Sequence, residues 1–156
     1  MSHYLAMETQ ITDQEALVRA LCRSTCRATS KEFTRNQLEV NDTARNLYGY
    51  ENDRRAETAH VIIRRNHVGG SANDIGFAQG KDGTYSAIIS EYDSRYYTKE
   101  WLTRLYTFYN VEKAKMEMDA RGVQYTEAKD TKGRIQLRAK FQVKEETARI
   151  GVRVGR

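Results

Sequence analysis

Two cysteines and three histidines are the side chains of this chain best suited to nucleophilic or metal chemistry. Cys22 and Cys26 lie four residues apart in a predicted helix, a spacing that places thiols poorly for a disulfide. No third or fourth soft ligand accompanies them, so we interpret both as reduced packing residues and not as a zinc site. His60 has no carboxylate or second histidine at ligand spacing, and the sequence does not support a Cys22–His60 nucleophile–base pair. We therefore expect no catalytic, metal-binding or cofactor-binding residues.

Acidic and glycine-bearing segments suggest two further kinds of chemistry, hydrolysis by paired carboxylates and phosphate binding by a loop. Asp74 and Asp93 bracket a predicted hairpin, and Asp82 lies at its tip. Turn and capping chemistry explains these aspartates more simply than a catalytic pair, which needs one raised pKa in a cleft. The segment Gly69–Ser71 lacks the Gly-Lys-Thr ending of a phosphate loop and precedes a strand, so we expect a surface loop. An enzyme is the least favoured class.

Basic residues recur at spacings that gather them on exposed faces. Three arginines recur every fourth residue and are predicted to form a ridge on the first helix: Arg19, Arg23 and Arg27. Glu15 can pair with Arg19 and so partly neutralise this ridge. A second group is predicted on the outward face of the last strand, where Arg64 and Arg65 could join it: Arg134, Arg138 and Lys140. Cationic surfaces of this kind suit a polyanionic partner.

Ten tyrosines supply aromatic surface to accompany these cations. Five of them are candidates for stacking: Tyr48, Tyr50, Tyr92, Tyr96 and Tyr97. Cations combined with aromatic rings suit single-stranded nucleic acid, because backbone charge and base stacking supply the affinity. The last three tyrosines, with Trp101, suit a protein-docking patch equally well, because aromatic residues anchor interfaces. They could also simply cover the end of the second helix.

Hydrophobic patterns predict the elements that position these residues in the first half of the chain. Strands are predicted at 3–11 and 57–65. A helix from 13 to about 28 is expected to begin with a capping box formed by Thr12 and Glu15. Between them the pattern is weaker, with strand pieces at 39–40 and 47–50 and turns at 41–42 and 52–53.

Two hairpins and a second helix are predicted in the remainder. Arms at 75–79 and 84–90 flank the turn 80–83, and arms at 123–128 and 134–141 flank the turn 130–133. Thr98 is expected to cap a helix that ends near Arg121, because Gly122 then occupies a position that favours positive φ. The last arm is expected to point four apolar side chains inward: Ile135, Leu137, Ala139 and Phe141.

These elements predict an α+β fold. We expect a single domain over 1–141, with a mainly antiparallel sheet of five to seven strands and two helices packed on one face, followed by a charged tail at 142–156. The chain has 156 residues and a formal net charge of +5, and the absence of proline argues against a stiff linker. No aliphatic run is long enough to cross a bilayer and no signal peptide is visible, so we expect no membrane partner and a cytoplasmic or plastid-stroma location.

Several sequence segments of the chain occur in an order that resembles the order found in a known family. They include Met1–Ile11, Asn73–Asp93, and four shorter segments that begin at Ala56, Trp101, Tyr109 and Gly133. Over roughly 1–141 the chain resembles the hypothetical chloroplast open reading frame thirty-five family, a domain of unknown function found in plastids, cyanobacteria, other bacteria and phages. The resemblance carries over no catalytic residues. It implies an accessory role, because members are often encoded near ATPases of the AAA superfamily.

Together these observations favour a non-enzymatic binding or accessory protein. Its expected partner is another protein, and the resemblance implies an ATPase of the AAA superfamily. The alternative is a protein that binds single-stranded RNA or DNA through the arginine ridge or the basic strand.

Overall fold

The computed structural model of this chain describes residues 2–141 and has the predicted α+β fold. The chain divides into two compact units, Met1–Lys113 and Ala114–Arg156. That 1–141 forms one domain stays a prediction, and the predicted tail at 142–156 lies outside the described residues. Among residues 2–141, no helix is both long enough and apolar enough to span a membrane.

The described elements are seven strands, three α-helices and two 3₁₀ turns. In chain order these are β1 (Tyr4–Glu8), α1 (Gln14–Leu21), a 3₁₀ turn (Arg35–Gln37), β2 (Leu38–Tyr48), β3 (Arg54–Ile63), α2 (Arg65–Val68), β4 (Ile75–Gln79), β5 (Tyr85–Ser90), a 3₁₀ turn (Asp93–Arg95), α3 (Lys99–Ala120), β6 (Gln124–Lys129) and β7 (Ile135–Lys140). The first five strands form an antiparallel sheet in the order β1-β5-β4-β3-β2, and β6 pairs with β7 in a separate antiparallel sheet.

The hairpin of β4 and β5 confirms the strongest local prediction. Gly83 has φ +88°, which a glycine adopts without the steric cost that other residues bear. The strands pair Phe77 with Ala87, and both residues are buried in the core. Gly76 lies close to β3, because a Cβ at this position would be 2.5 Å from the Cβ of Ala59. The residue types of β4 are therefore constrained by packing against β3 as well as by the hairpin turn.

The β2–β3 hairpin corrects the prediction for the weakest stretch of sequence. Residues 41–42, predicted as a turn, lie inside β2, where the pairing register shifts between Val40 and Arg45. A bulge of this kind lets a strand continue through residues that favour turns. The turn at 52–53 is confirmed, with Asn52 at φ +63° and the Gly49 amide donating to the Asp53 carbonyl at 2.8 Å.

Helix α1 is shorter than predicted and begins at a different cap. Asp13, not Thr12, is the N-cap, and its carboxylate accepts from the Ala16 amide at 3.0 Å. The helix ends at Leu21 because the following segment folds back on itself. In that segment the Cys26 amide donates to the Lys31 carbonyl at 2.7 Å, and the buried Phe33 follows. Residues 22–28 therefore leave the helical surface on which they were expected.

Helix α3 and the last hairpin agree with their predicted turn chemistry. The Trp101 amide donates to the Thr98 hydroxyl at 3.2 Å, and Gly122 has φ +68° just after the helix end. Gly133 has φ +78° in the β6–β7 turn. The inward orientation was wrong for Ala139, which is exposed, and for Phe141, whose side chain is 76% exposed. Phe141 lies beyond the last residue of β7, where a two-stranded sheet has little surface to cover it.

Candidate binding sites

The predicted arginine ridge does not exist as a continuous surface. Arg19 pairs with Glu15 through a 2.8 Å contact on α1, as expected for residues one helical turn apart. Arg23 lies after the end of α1, where it contacts Glu112 at 2.8 Å. Arg27 lies in the fold-back segment, five residues beyond the Cys22 cap that ends α1. The ridge prediction was wrong because the helix ends before the second arginine.

Glu15 joins α1 to the 3₁₀ turn before β2. Arg35 of that turn donates to the Glu15 carboxylate at 3.0 Å, and Arg19 donates to the same group. The hydrogen bond from Arg35, assisted by that from Arg19, lowers the pKa of Glu15 from 4.5 to about 2, although partial burial acts in the opposite direction. This carboxylate is thus a charge partner shared by two arginines.

A stack of two tyrosines and two arginines forms around the second 3₁₀ turn. We call it the tyrosine–arginine surface: Arg27, Tyr92, Arg95 and Tyr96. The guanidinium of Arg95 lies 4.6 Å from the ring centre of Tyr92, and that of Arg27 lies 3.5 Å from the ring centre of Tyr96. The two rings are tilted, with their centres 6.0 Å apart. Tyr96 is 42% exposed, so this ordered stack is open to a partner.

Asp93 anchors the turn that carries this surface. Its side chain is fully buried, and Oδ2 accepts from the Asn73 amide at 2.9 Å and from the Ser90 hydroxyl at 2.7 Å. Its backbone carbonyl accepts from the amides of Tyr96 and Tyr97 at 3.0 and 2.8 Å. Oδ1 is buried without a hydrogen-bond partner in the described part of the chain. Asp93 therefore has the structural role of a turn anchor.

Tyr97 is an interior residue and not a member of the predicted surface patch. It is 1% exposed, and its hydroxyl donates to the Val68 carbonyl at 2.8 Å while accepting from the Arg27 amide at 3.1 Å. The ring of Trp101 meets it edge-on at 5.0 Å. Burial is the main cause of the raised pKa of Tyr97. The predicted aromatic patch therefore divides into two parts. Tyr97 is buried and joins the segments that contain Val68 and Arg27, whereas Tyr92 and Tyr96 are more exposed.

Arg64 is also removed from the predicted cationic face. Its guanidinium contacts Glu39 at 2.7 Å and the buried Asp74 carboxylate at 2.8 Å. Asp74 also accepts from the backbone amides of Tyr48 and Arg65, each at 2.7 Å. This network ties β2, the residue that follows β3 and the loop before β4 together, and Asp74 is its buried acceptor.

The last hairpin presents a smaller basic surface, which we call the basic hairpin face: Gln124, Thr126, Arg138 and Lys140. Arg138 and Lys140 are exposed, and directly opposite residues of an antiparallel pair lie on the same face. Their cross-strand partners are Thr126 and Gln124, so neither cation has a carboxylate opposite it. Arg134 differs, because its guanidinium pairs with Asp130 at 2.7 Å in the turn.

The side chains of His60 and Cys26 each form a hydrogen bond with a backbone group. The Gln79 amide donates to Nδ1 of His60 at 3.0 Å, and the Cys26 thiol donates to the His67 carbonyl at 3.0 Å. Burial raises the pKa of Cys22, which disfavours the reactive thiolate. Within residues 2–141 no three His, Cys, Asp or Glu side chains are grouped so that they could hold a metal ion.

Sequence reasoning missed an open cleft of about 570 Å³ near the Arg64 network. Six residues line it: Tyr48, Asn52, Arg64, Arg65, Asn66 and Asp74. They lie at the end of β2, in the turn after it, directly after β3, on α2 and in the loop before β4. The only local signals in the sequence were the asparagines, which favour turns, and the adjacent arginines Arg64 and Arg65. These signals do not reveal that three separate segments meet at the cleft.

Comparisons with known proteins do not identify a relative. No family model, no curated protein and no solved structure matches this chain. The resemblance to the hypothetical chloroplast open reading frame thirty-five family therefore stays a prediction from the sequence.

Proposed function

We propose that this chain is a non-enzymatic binding module that engages a protein partner through the tyrosine–arginine surface. The observation that carries the proposal is the stack of Arg95, Tyr92, Tyr96 and Arg27, which is ordered and partly exposed. Tyrosine and arginine are enriched among the residues that contribute most to protein–protein affinity. Chemistry of this kind therefore favours recognition of another protein surface.

Preorganisation is the second support for this proposal. Fixing a flexible side chain on binding costs about 0.5–1.5 kcal/mol of conformational free energy. The contacts of Arg27 with Tyr96 and of Arg95 with Tyr92 already restrict these side chains in the unbound chain. The turn beneath them is held by the buried Asp93 carboxylate. A partner would thus meet a surface whose ordering cost is reduced.

The sequence resemblance supplies the only indication of the partner's class. It implies an accessory role beside an ATPase of the AAA superfamily, and we include this ATPase in the proposal as the expected partner. Tyrosines and arginines can contact either the apolar or the acidic parts of such a surface.

The test is co-purification from a native host, followed by reconstitution of the complex from purified components. Tyr96→Ala should weaken partner binding at least about tenfold, the range expected for an interface residue worth about 1.4 kcal/mol or more. The matched control is Tyr50→Ala, because Tyr50 is 48% exposed and lies in a different loop. Circular dichroism and thermal unfolding establish that both variants are folded.

Two outcomes would overturn this proposal. One is recovery of the wild-type chain alone, with no stoichiometric protein partner. The other is a reconstituted complex whose affinity is the same for wild type and Tyr96→Ala, or is reduced equally by Tyr50→Ala.

The basic hairpin face supports a second candidate function, binding of single-stranded nucleic acid. Arg138 and Lys140 lie beside Thr126 and Gln124 without an opposing carboxylate, so phosphate groups would meet no local repulsion across the strand pair. Phe141 follows them and is exposed, which adds a ring for base stacking.

A salt titration of binding to single-stranded RNA and DNA tests this alternative. Double charge reversal, Arg138→Glu with Lys140→Glu, should abolish the complex or lower the salt-dependence slope by about 1.4, since each phosphate contact on a single strand contributes about 0.7. Arg134→Glu is the control, because Arg134 is already paired with Asp130. The absence of any salt-sensitive complex at micromolar protein removes the alternative.

A further inference from the structure

The cleft lined by Tyr48, Asn52, Arg64, Arg65, Asn66 and Asp74 has the size of a small-molecule site. Its volume of about 570 Å³ lies within the range of about 300–1,000 Å³ that is typical of ligand pockets. None of the residues of the tyrosine–arginine surface or the basic hairpin face lines it. An inference about the cleft is therefore independent of both proposed functions.

Two of the charged residues that line the cleft, Arg64 and Asp74, are already paired within the chain. Asp74 accepts from the Arg65 amide through Oδ1, and from the Tyr48 amide and the Arg64 guanidinium through Oδ2. Arg64 also donates from Nε and Nη2 to Glu39 at 3.0 and 2.7 Å, and from Nη1 to the Asn46 carbonyl at 3.0 Å. The buried carboxylate therefore presents little uncompensated negative charge to a ligand.

The remaining lining groups have no such internal partners. Among the described residues, no hydrogen bond or ion pair engages the Arg65 guanidinium, the side-chain amides of Asn52 and Asn66, or the Tyr48 hydroxyl. Asn52 holds its place through its backbone, which donates to the Gly49 carbonyl at 2.8 Å. One unpaired cation, two amides and one phenol thus line the same cleft with their hydrogen-bonding capacity available.

These groups define the chemistry of a matching ligand. A guanidinium binds a phosphate group through paired, charge-assisted hydrogen bonds. Carboxamides supply both donors and acceptors and can therefore recognise the polar edge of a heterocyclic base. The Tyr48 ring, whose centre lies 5.8 Å from the Arg64 guanidinium, adds an aromatic surface on which a planar base can stack. A ligand that uses all three must carry a phosphate and a planar polar ring within a volume of this size.

We propose that this cleft binds a nucleoside monophosphate, with Arg65 contacting the phosphate and Asn52, Asn66 and Tyr48 contacting the base. The Arg64–Asp74 network keeps Arg65 and Tyr48 in place, because Asp74 accepts hydrogen bonds from the backbone amides of both residues. The base preference is set by the two asparagine side chains.

Isothermal titration calorimetry of the full chain tests this proposal with five probes at matched ionic strength. The probes are the monophosphates of adenosine and uridine, adenosine, ribose 5-phosphate and inorganic phosphate. At least one nucleoside monophosphate should bind at least about tenfold more tightly than the three fragments, because only it engages the cation and the ring together.

Variants locate the binding site. Arg65→Ala should weaken nucleotide binding at least about tenfold while leaving the backbone amide that holds Asp74 intact. Arg65→Lys should recover part of the affinity, since it keeps the charge but not the paired geometry. Arg104→Ala is the matched control, because Arg104 is an exposed arginine of α3 that does not line the cleft.

Three results would overturn the inference. They are no heat of binding with either nucleoside monophosphate, equal affinity for inorganic phosphate and for the nucleotides, and equal affinity of wild type and Arg65→Ala. Each result leaves the protein-partner proposal standing, since that proposal depends on Tyr96.

Discussion

Asp93 and Asp74 are both carboxylates that the fold buries next to loops. Each accepts from backbone amides of a neighbouring segment, Asp93 from Asn73 and Asp74 from Tyr48 and Arg65. A buried carboxylate that replaces lost backbone partners stabilises irregular structure, where strands and helices cannot satisfy those amides. The aspartates therefore hold the loops that carry candidate binding residues.

Replacing Asp93 should destabilise the protein through the loop that it holds. In Asp93→Asn, the new amide group can take either of two positions. At the Oδ2 position it faces Asn73 and Ser90, which both donate to Oδ2 in the wild type. At the Oδ1 position it is buried without a partner. We expect a loss of about 1–3 kcal/mol in the free energy of unfolding, measured with chemical denaturant. Asp42→Asn, at an exposed position, should change it by less than about 0.5 kcal/mol. Similar values for the two variants would contradict the anchoring role.

The elements of this chain are set by a few side chains at their ends and at their closest contacts. Asp13 caps the start of helix α1, and strand β4 approaches β3 at Gly76. Both features decide where candidate residues lie. The start and early end of α1 separate Arg19 from Arg27, and the β3–β4 contact places the end of β3 beside the loop that carries Asp74.

The cap of α1 can be tested by comparing two adjacent residues. Asp13→Ala should lower the free energy of unfolding by about 1 kcal/mol, because the Ala16 amide loses its partner. The substitution also removes the 3.4 Å contact between the Asp13 carboxylate and Lys113, although an exposed ion pair of this kind contributes little to stability. Thr12→Ala, at the position that the sequence pattern favoured, should have a much smaller effect in the same denaturation experiment. A larger effect of Thr12→Ala than of Asp13→Ala would support the predicted capping box of Thr12 and Glu15 instead.

Close packing at Gly76 gives a second prediction at this scale. In Gly76→Ala the added methyl would overlap the Ala59 methyl at 2.5 Å and press on Leu47 at 3.0 Å, with both neighbours in the core. Overpacking of this kind costs about 1–3 kcal/mol, which denaturant unfolding should detect. The control is Gly70→Ala, where nothing lies within 4 Å of the new Cβ. Equal stability of the two variants would show that β3 and β4 lie further apart.

Across the molecule, a positive net charge does not translate into a continuous basic surface. The chain carries a formal charge of +5, yet Arg19, Arg23, Arg64 and Arg134 each contact a carboxylate. Ion pairing thus decides which cations remain for a partner. Arg65 and Arg95, together with Arg138 and Lys140, make no ion pair within the described residues.

The acid side of the stability profile should report this ion pairing. The pKa of Glu15 is about 2 in the folded protein, compared with an ordinary value of 4.5. The ionised carboxylate therefore stabilises the fold fully above pH 4.5, and this stabilisation is lost as the pH falls through 2. Glu15→Gln should therefore be less stable than wild type near neutral pH, and the difference should shrink between these values. Glu15 is partly exposed, so the effect should also weaken with added salt.

Unfolding with denaturant at a series of pH values measures this difference. Glu100→Gln is the control, because Glu100 is an exposed carboxylate on α3. A destabilisation by Glu15→Gln that stays constant from neutral pH to pH 2 would rule out the charge explanation.

The sequence by itself determined the features whose signals lie within a few neighbouring residues. The glycines at positions 83, 122 and 133 mark turns or a helix end because few other residues adopt their positive φ, and Thr98 caps the helix that it precedes. The α+β class followed from these elements and their short connections. Local backbone preference was sufficient in each case.

Only the tertiary structure decided where α1 ends, which arginines are paired and which side chains share a cleft. The Arg27 amide donates to the hydroxyl of Tyr97, 70 positions away, and Arg64 pairs with Glu39, 25 positions away. Asn52, in the turn after β2, and Asn66, on α2, line the same cleft. Contacts over such separations depend on how the sheet brings its loops together, and helical or strand periodicity contains no information about that arrangement.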